Sequence, residues 1–225
     1  MLKRLLFLLL FLPFSLLAQQ GEIGNWIMYF GTNKISEKFS IHSEIQYRNH
    51  TFVPNNIEQL LLRTGLNYHF SKKAFVTAGY GFIPSYVFES EQSAPETTEH
   101  RIWQQFILKN KINRVHFEHR YRIEQRWVNG DYKNRFRYRL MLVIPFNKPV
   151  IETGTWFLGL YDEIFINDRQ TVFDRNRLFG GVGYQFHKTA NVQAGMLVQH
   201  VNDFHKWYFQ LALTFNPDLR KKNDE

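Results

Sequence analysis

Residues 114–127 read RVHFEHRYRIEQRW, and KNRFRYRL follows at 133–140. Guanidinium groups bind carboxylates and phosphates through paired N–H donors. A cluster of them could hold an acidic solute or, with carboxylates between, close into an ion-pair network. Here the charged positions alternate with bulky apolar ones. Taken at every second residue, one set holds Arg114, His116, Glu118, Arg120, Arg122, Glu124 and Arg126, and the other Val115, Phe117, His119, Tyr121, Ile123, Gln125 and Trp127. The stretch 133–146 divides likewise, with Lys133, Arg135, Arg137 and Arg139 against Asn134, Phe136, Tyr138, Leu140, Leu142, Ile144 and Phe146. A helix would scatter both sets around its circumference, whereas a strand places them on opposite faces. The two runs pair as a hairpin across Asn129-Gly130-Asp131, a strong turn signal. Directly opposite residues on such a pair stand about 4.5–5.5 Å apart, so the arginines at 120–126 and 135–139 are expected close together and in need of counter-charge.

Other candidate chemistry is thinner. His116 lies two residues from Glu118 and His42 two from Glu44, each pair on one strand face. Ser40 shares the face of His42 and Ser43 points away, but no serine sits in a nucleophile motif, so no catalytic residue is assigned. Gly180-Gly181 with Gly183 lies in a strand pattern with no helix after it, which reads as close backbone approach rather than a phosphate loop. Asp162-Glu163 and His200, Asp203, His205 offer ligands without metal-site spacing. Neither a metal nor a cofactor is expected. Glu89, Glu91, Glu96 and Glu99 read as a solvated outer loop.

The N-terminus decides where the arginine strands are placed. Lys3 and Arg4 precede an apolar run from Leu5 to Leu17, and Ala18 offers a cleavage site. This predicts a signal peptide over 1–18, too short and too broken by Pro13 to span a bilayer as a helix. The chain has no cysteine, which excludes disulfides and thiolate metal sites. Removing 1–18 takes away two basic residues and no acidic one, lowering the formal charge from +8 to +6. Export argues against nucleic acid as the partner and for small acidic solutes or anionic lipid headgroups. Aromatic residues reach 17% although mean hydropathy is only −0.37. That combination fits a membrane barrel, whose apolar residues occupy alternate positions.

Strand-like runs occur at 25–32, 38–50, 56–70, 74–88, 98–110, 113–128, 132–146, 155–167, 172–187, 190–202 and 206–215, with no convincing helix. Most cover the roughly 9–11 residues that a tilted strand needs to cross a bilayer. Short links such as 71–73, 109–113 and 187–189 alternate with longer ones such as 89–98, 128–133 and 167–171, the pattern of periplasmic turns and outer loops. LNYHFSKKAFV at 66–76 and VGYQFHKTANV at 182–192 both place Tyr and Phe before a short turn, as in an interfacial girdle. Eleven runs is odd where single-chain bacterial barrels are even. The segment 24–32 could lie in the lumen, augment the wall, or signal a twelfth strand.

GNWIMYFGTNKISEKFSIHSEIQYR near the start, HFEHRYRIEQRW in the centre, LYDEIFIN at 160–167 and NRLFGGVGYQF at 176–186 resemble the outer-membrane barrels grouped as domain of unknown function 2490. The resemblance spans nearly all of the mature chain and implies an outer-membrane barrel with no assigned activity, so it supplies no functional residues. Phe215 ends a strand as a terminal aromatic would, yet Asn216 to Glu225 trail after it.

The expectation is therefore an all-β, transmembrane, antiparallel up-and-down β-barrel of about 10 to 12 strands over 19–215, with a polar tail at 216–225 and an arginine-rich lumen in the outer membrane. Its lumen would hold Arg48, Arg63, Arg101, Lys109, Arg120, Arg122, Arg126, Arg135, Arg137 and Arg139, with Glu44, Glu118, Glu124 and Glu163 as acidic partners. Such a lumen is either an ion-pair plug or a narrow track for acidic solutes. Outer-membrane lipid and the barrel-assembly machinery are the other implied partners. Two alternatives are a lipid-modifying hydrolase and a soluble periplasmic barrel that turns its apolar parity inward around an apolar ligand.

Overall fold

A strand with one polar and one apolar face leaves both backbone edges unpaired, and only a closed sheet satisfies every edge. The computed structural model describes residues 23–88, 94–168 and 171–220, and in it the sheet closes. Residues 1–18, Glu89, Glu91 and 221–225 lie outside the described residues. The strands are β1 (Gly24–Lys34), β2 (Phe39–Asn49), β3 (Ile57–His69), β4 (Ala74–Ser85), β5 (Thr97–Ile112), β6 (Val115–Val128), β7 (Asp131–Pro145), β8 (Thr155–Asn167), β9 (Phe173–His187), β10 (Ala190–Val201) and β11 (Phe204–Phe215). Their bounds fall within three residues of the runs read from alternation, and the described residues form no helix.

The barrel has eleven strands, which settles the place of residues 24–32: they belong to a wall strand. With an odd number, the first and last strands run the same way. β1 pairs with β11 in parallel, from Gly24 opposite Tyr208 to Gly31 opposite Phe215, while every other junction is antiparallel. Residues after β11 fasten this seam. Lys34 N donates to Pro217 O at 2.9 Å and Leu219 N to Lys34 O at 2.8 Å, so the start of the polar tail is bonded to the end of β1.

The hairpin at β6 and β7 follows its sequence signal closely. Asn129 and Gly130 both have positive φ, at 49° and 93°, as a two-residue turn matching the strand twist requires. The link expected to be long at 128–133 is therefore the tightest kind. One rim carries the connections 50–56, 86–96 and 168–172 together with the turns at 129–130 and 202–203, and is called the loop rim here. The opposite turn rim carries 35–38, 70–73, 113–114, 188–189 and the longer 146–154. Long and short links thus alternate only in part.

Burial follows parity around the wall. Ile27, Ile45, Leu66, Ile102, Ile123, Phe136 and Leu178 are exposed, while the arginines and glutamates on the alternate positions are buried. Polar groups on the exposed face are mostly matched. Gln104 and Gln125 exchange two side-chain bonds of 3.2 Å, Tyr138 Oη lies 2.9 Å from His119 Nδ1, and Asn176 Nδ2 donates to Asp162 Oδ1 at 2.5 Å.

Glycine on the inner face lets rings lie flat on the wall. A Cβ at Gly79 would fall 2.4 Å from Thr64 O and 2.6 Å from a ring carbon of Trp103, and one at Gly183 would fall 2.1 Å from Phe157 Cζ. At Gly181 the obstacle is the backbone of Ala194, 2.5 Å away, so the close approach expected of the glycine cluster at 180–183 is what the structure contains. Gly79→Ala is expected to lower stability by about 1–3 kcal/mol, the usual range for overpacking, because neither the Thr64 backbone nor the buried indole can retreat. The midpoint of heat-modified gel migration checks this; an unchanged midpoint would mean the wall yields.

Candidate functional site

On the inner face, cross-strand register places the charges. Arg120 stands opposite Arg139 and Arg122 opposite Arg137 across β6 and β7, while Glu124 faces Arg135. Opposed like charges destabilise a sheet unless a third group intervenes. The next strand supplies one: Glu163 of β8 accepts from Arg120 Nη2 at 2.6 Å and from Arg137 Nη2 at 2.7 Å.

Glu124, at 0% exposure, is the densest node. Its carboxylate accepts from Arg135 Nη2 at 2.7 Å, Arg137 Nη1 at 2.6 Å and Arg101 Nη1 at 3.3 Å. Glu44 accepts from Arg63 Nη1 at 3.0 Å and also contacts His42 and Gln46. Glu118 sits nearer the turn rim, 2.6 Å from Arg139 and 3.5 Å from Lys109. The expected residues Arg63, Arg101, Arg120, Arg122, Arg135, Arg137 and Arg139 thus lie within 4 Å of Glu44, Glu118, Glu124 or Glu163, while Arg126 pairs with a different carboxylate.

Glu99 corrects the sequence reading. It belongs to β5 rather than to a solvated loop, and it is buried. Both its oxygens bind Arg126, at 2.8 Å each, and Arg101 Nε donates to it at 2.7 Å. The strand run read at 98–110 already contained it, but the acidic residues just before it in the chain drew Glu99 to the loop. Asp174, 3.0 Å from Arg135, and the buried Arg177 were also missed. Parity counted along 172–187 fails at Asp174, where a bulge shifts the β8–β9 register between Phe165 and Ile166, but holds at Arg177, which alternates with the exposed Leu178 like Phe179 and Gln185.

Aromatic rings separate the guanidiniums that lack carboxylates. Arg48 and Arg177 make no ion pair among the described residues. Glutamine oxygens hold them, and their Cζ atoms lie 3.9 and 4.8 Å from the Trp26 ring centroid. Arg122 lies over Trp103 at 4.7 Å and Arg137 over Phe165 at 4.3 Å. Such contacts contribute roughly 0.5–2 kcal/mol each when desolvated, and they offset charge without neutralising it. Among the described residues seven arginines are fully buried, namely Arg48, Arg63, Arg101, Arg122, Arg135, Arg137 and Arg177, against four glutamates, Glu44, Glu99, Glu124 and Glu163.

The interior divides at mid-height. One interior step toward the loop rim from Arg63, Gln105, Arg122, Glu163 and Gln210 come Leu61, Trp103, Glu124, Phe165 and Tyr208, all with almost no exposure. These fill the loop-side half. On the other side a cavity of about 470 Å³ rests on Arg63, Arg122, Arg137 and Arg177 and extends to Asn110, Ile151 and Asn216 at the turn rim. Among the side chains that line it, Arg63 Nε, Arg120 Nε, Arg122 Nη1, Arg139 Nε, His116 Nε2 and Gln193 Nε2 are buried atoms with no hydrogen-bond partner among the described residues.

Nucleophilic chemistry finds little purchase. His42 bonds Glu44 at 3.1 Å, whereas His116 makes no bond to Glu118. Ser40 pairs instead with His69 at 2.7 Å, but Ser40 is only 1% exposed, and no carboxylate bonds that histidine among the described residues. Asp162 is exposed on the outer face while Glu163 is buried, and the described residues hold no group of three metal-ligating side chains.

The profile of one protein family, described as Protein of unknown function (DUF2490), matches residues 23–210. The chain belongs to the DUF2490 family. The match begins ahead of β1 and ends within β11, so it covers the β1 side of the parallel seam and β11 only as far as Gln210. No curated protein and no solved structure is found to match this DUF2490 chain.

Proposed function

We propose that this DUF2490 protein is an outer-membrane barrel, closed as a pore, that holds anionic solutes in a basic cup open at the turn rim. One observation carries the reading: among the described residues seven buried arginines face four buried glutamates, and Arg63, Arg122, Arg137 and Arg177 line the cavity on the turn side. Buried charge without a partner is strongly unfavourable, so an entering anion would relieve the charge surplus. Membrane placement draws support from the outer face. Its apolar residues are exposed, its polar groups are bonded to one another as a medium without water demands, and rings cluster at both rims. Tyr68 lies 5.3 Å from Phe39 and Trp156 4.7 Å from Tyr184 at the turn rim, with Trp127 5.2 Å from Tyr132 at the other. The turn rim would then face the periplasm. A soluble barrel around an apolar ligand needs the apolar parity inside, and the exposed set lies outside.

Planar bilayers and thermal shift test the reading together. The inserted protein is expected to pass no stable current. Phosphate at about a hundred times its dissociation constant is expected to stabilise the fold by about 2.7 kcal/mol, at matched ionic strength against chloride. Stable anion-selective openings that weaken when Arg120, Arg122, Arg135 and Arg137 are changed to Gln would replace the cup with the conduit.

A further inference from the structure

The cup is not uniformly polar, and the distribution of its lining is informative. Its floor is guanidinium and amide, with the arginine-paired carboxylates Glu44 and Glu163 among them. Toward the turn rim, β7 goes from Arg137 and Arg139 to Met141 and Val143, β8 from Glu163 to Tyr161 and Phe157, and β5 from Gln105 to Ile107. Phe75 of β4 stands opposite Ile107 and lines the same cavity. A water-filled barrel interior is ordinarily polar along its height. A site for a bare inorganic anion has no use for apolar walls above its donors, and a purely structural plug would fill the space.

We infer that the cup takes a single-chain amphiphilic anion, with a phosphate or carboxylate head on Arg63, Arg120 and Arg122 and an alkyl or aryl body along Met141, Phe157 and Ile107. This rests on the anion cup proposed above and names its ligand class. Arg63 and Arg122 are buried and line the cavity, and Arg120 and Arg139 line it one step toward the rim. The volume of about 470 Å³ lies within the roughly 300–1,000 Å³ of small-ligand sites. Donors at the floor and apolar groups at the wall orient the ligand head inward, entering from water at the turn rim.

The test is titration calorimetry on the full chain in lipid nanodiscs, with empty nanodiscs measuring partition into lipid. Inorganic phosphate, ethyl, butyl and hexyl phosphate are the probes, with hexanoate to compare head chemistry. Affinity is expected to rise roughly fourfold per methylene, the fold-change set by taking one CH₂ out of water, until the wall is covered. Arg120→Gln with Arg122→Gln should abolish binding of every probe. Met141→Thr, at a half-buried wall position, should keep phosphate affinity and flatten the dependence on chain length. Phosphate binding that is equal for all chain lengths would overturn the amphiphile and leave the anion cup standing. A chain-length gain that matches empty nanodiscs, or that persists in Met141→Thr, would likewise overturn it. Failure of every probe to bind a folded, inserted protein would overturn both.

Discussion

Glu124→Gln is expected to lower the unfolding free energy by about 3–5 kcal/mol, the range for removing one member of a buried ion-pair network. The carboxylate bonds Arg101, Arg135 and Arg137, and Arg122 Nη1 lies 3.7 Å away. Neutralising it leaves those guanidiniums mutually repelling in a filled half-barrel, with no water to take its place. Glutamine keeps the shape and one acceptor, so the effect reports charge rather than packing. Glu118→Gln serves as the comparison. Its side chain is 24% exposed, and its partners Lys109 and Arg139 are 48% and 16% exposed, so a smaller loss is expected, because solvent screens such pairs. Urea unfolding in detergent, followed by tryptophan fluorescence, measures both. Equal midpoints for the two variants would show that Glu124 is not the node on which the closed half depends.

Ile45→Arg is expected to destabilise the inserted barrel by about 2–4 kcal/mol, the cost of a basic side chain on the lipid face near the bilayer midplane. Ile45 lies near the middle of β2, 49% exposed, with Tyr29 and Leu62 as its cross-strand neighbours. Were this face bathed in water, the same change would fall within about 0.5 kcal/mol of neutral. The gap between those figures makes the substitution a direct test of membrane placement. Reversible urea titration in liposomes is the measurement, and a neutral result would move the barrel out of the bilayer.

Much of this was legible in the chain itself. RVHFEHRYRIEQRW assigned Arg120, Arg122, Glu124 and Arg126 to one face and Tyr121 and Ile123 to the other, and the buried and exposed sets agree. Asn129-Gly130 marked its turn because both residues tolerate the positive φ found there. Trp103 was within reach of the same method, since it shares parity with Arg101. Glu99 was lost because acidic neighbours resemble a solvated loop, and Asp174 because a bulge shifts the register there in a way that composition does not announce, whereas Arg177 was within reach of alternation, since it shares parity with the buried Phe179 and Gln185.

Alternation with period two is a local property of the backbone, so it placed the strands and sorted their residues onto two faces, while the role of 24–32, the strand number and which face turns inward waited for the closed sheet. Only the tertiary structure decided that β1 closes on β11 in parallel, that Glu163 bridges two opposed arginines, and that one half of the barrel is filled while the other is a basic cup. Those features depend on which side chains meet across the interior, and that is set by strand tilt, stagger and circumference, quantities that belong to the closed sheet as a whole.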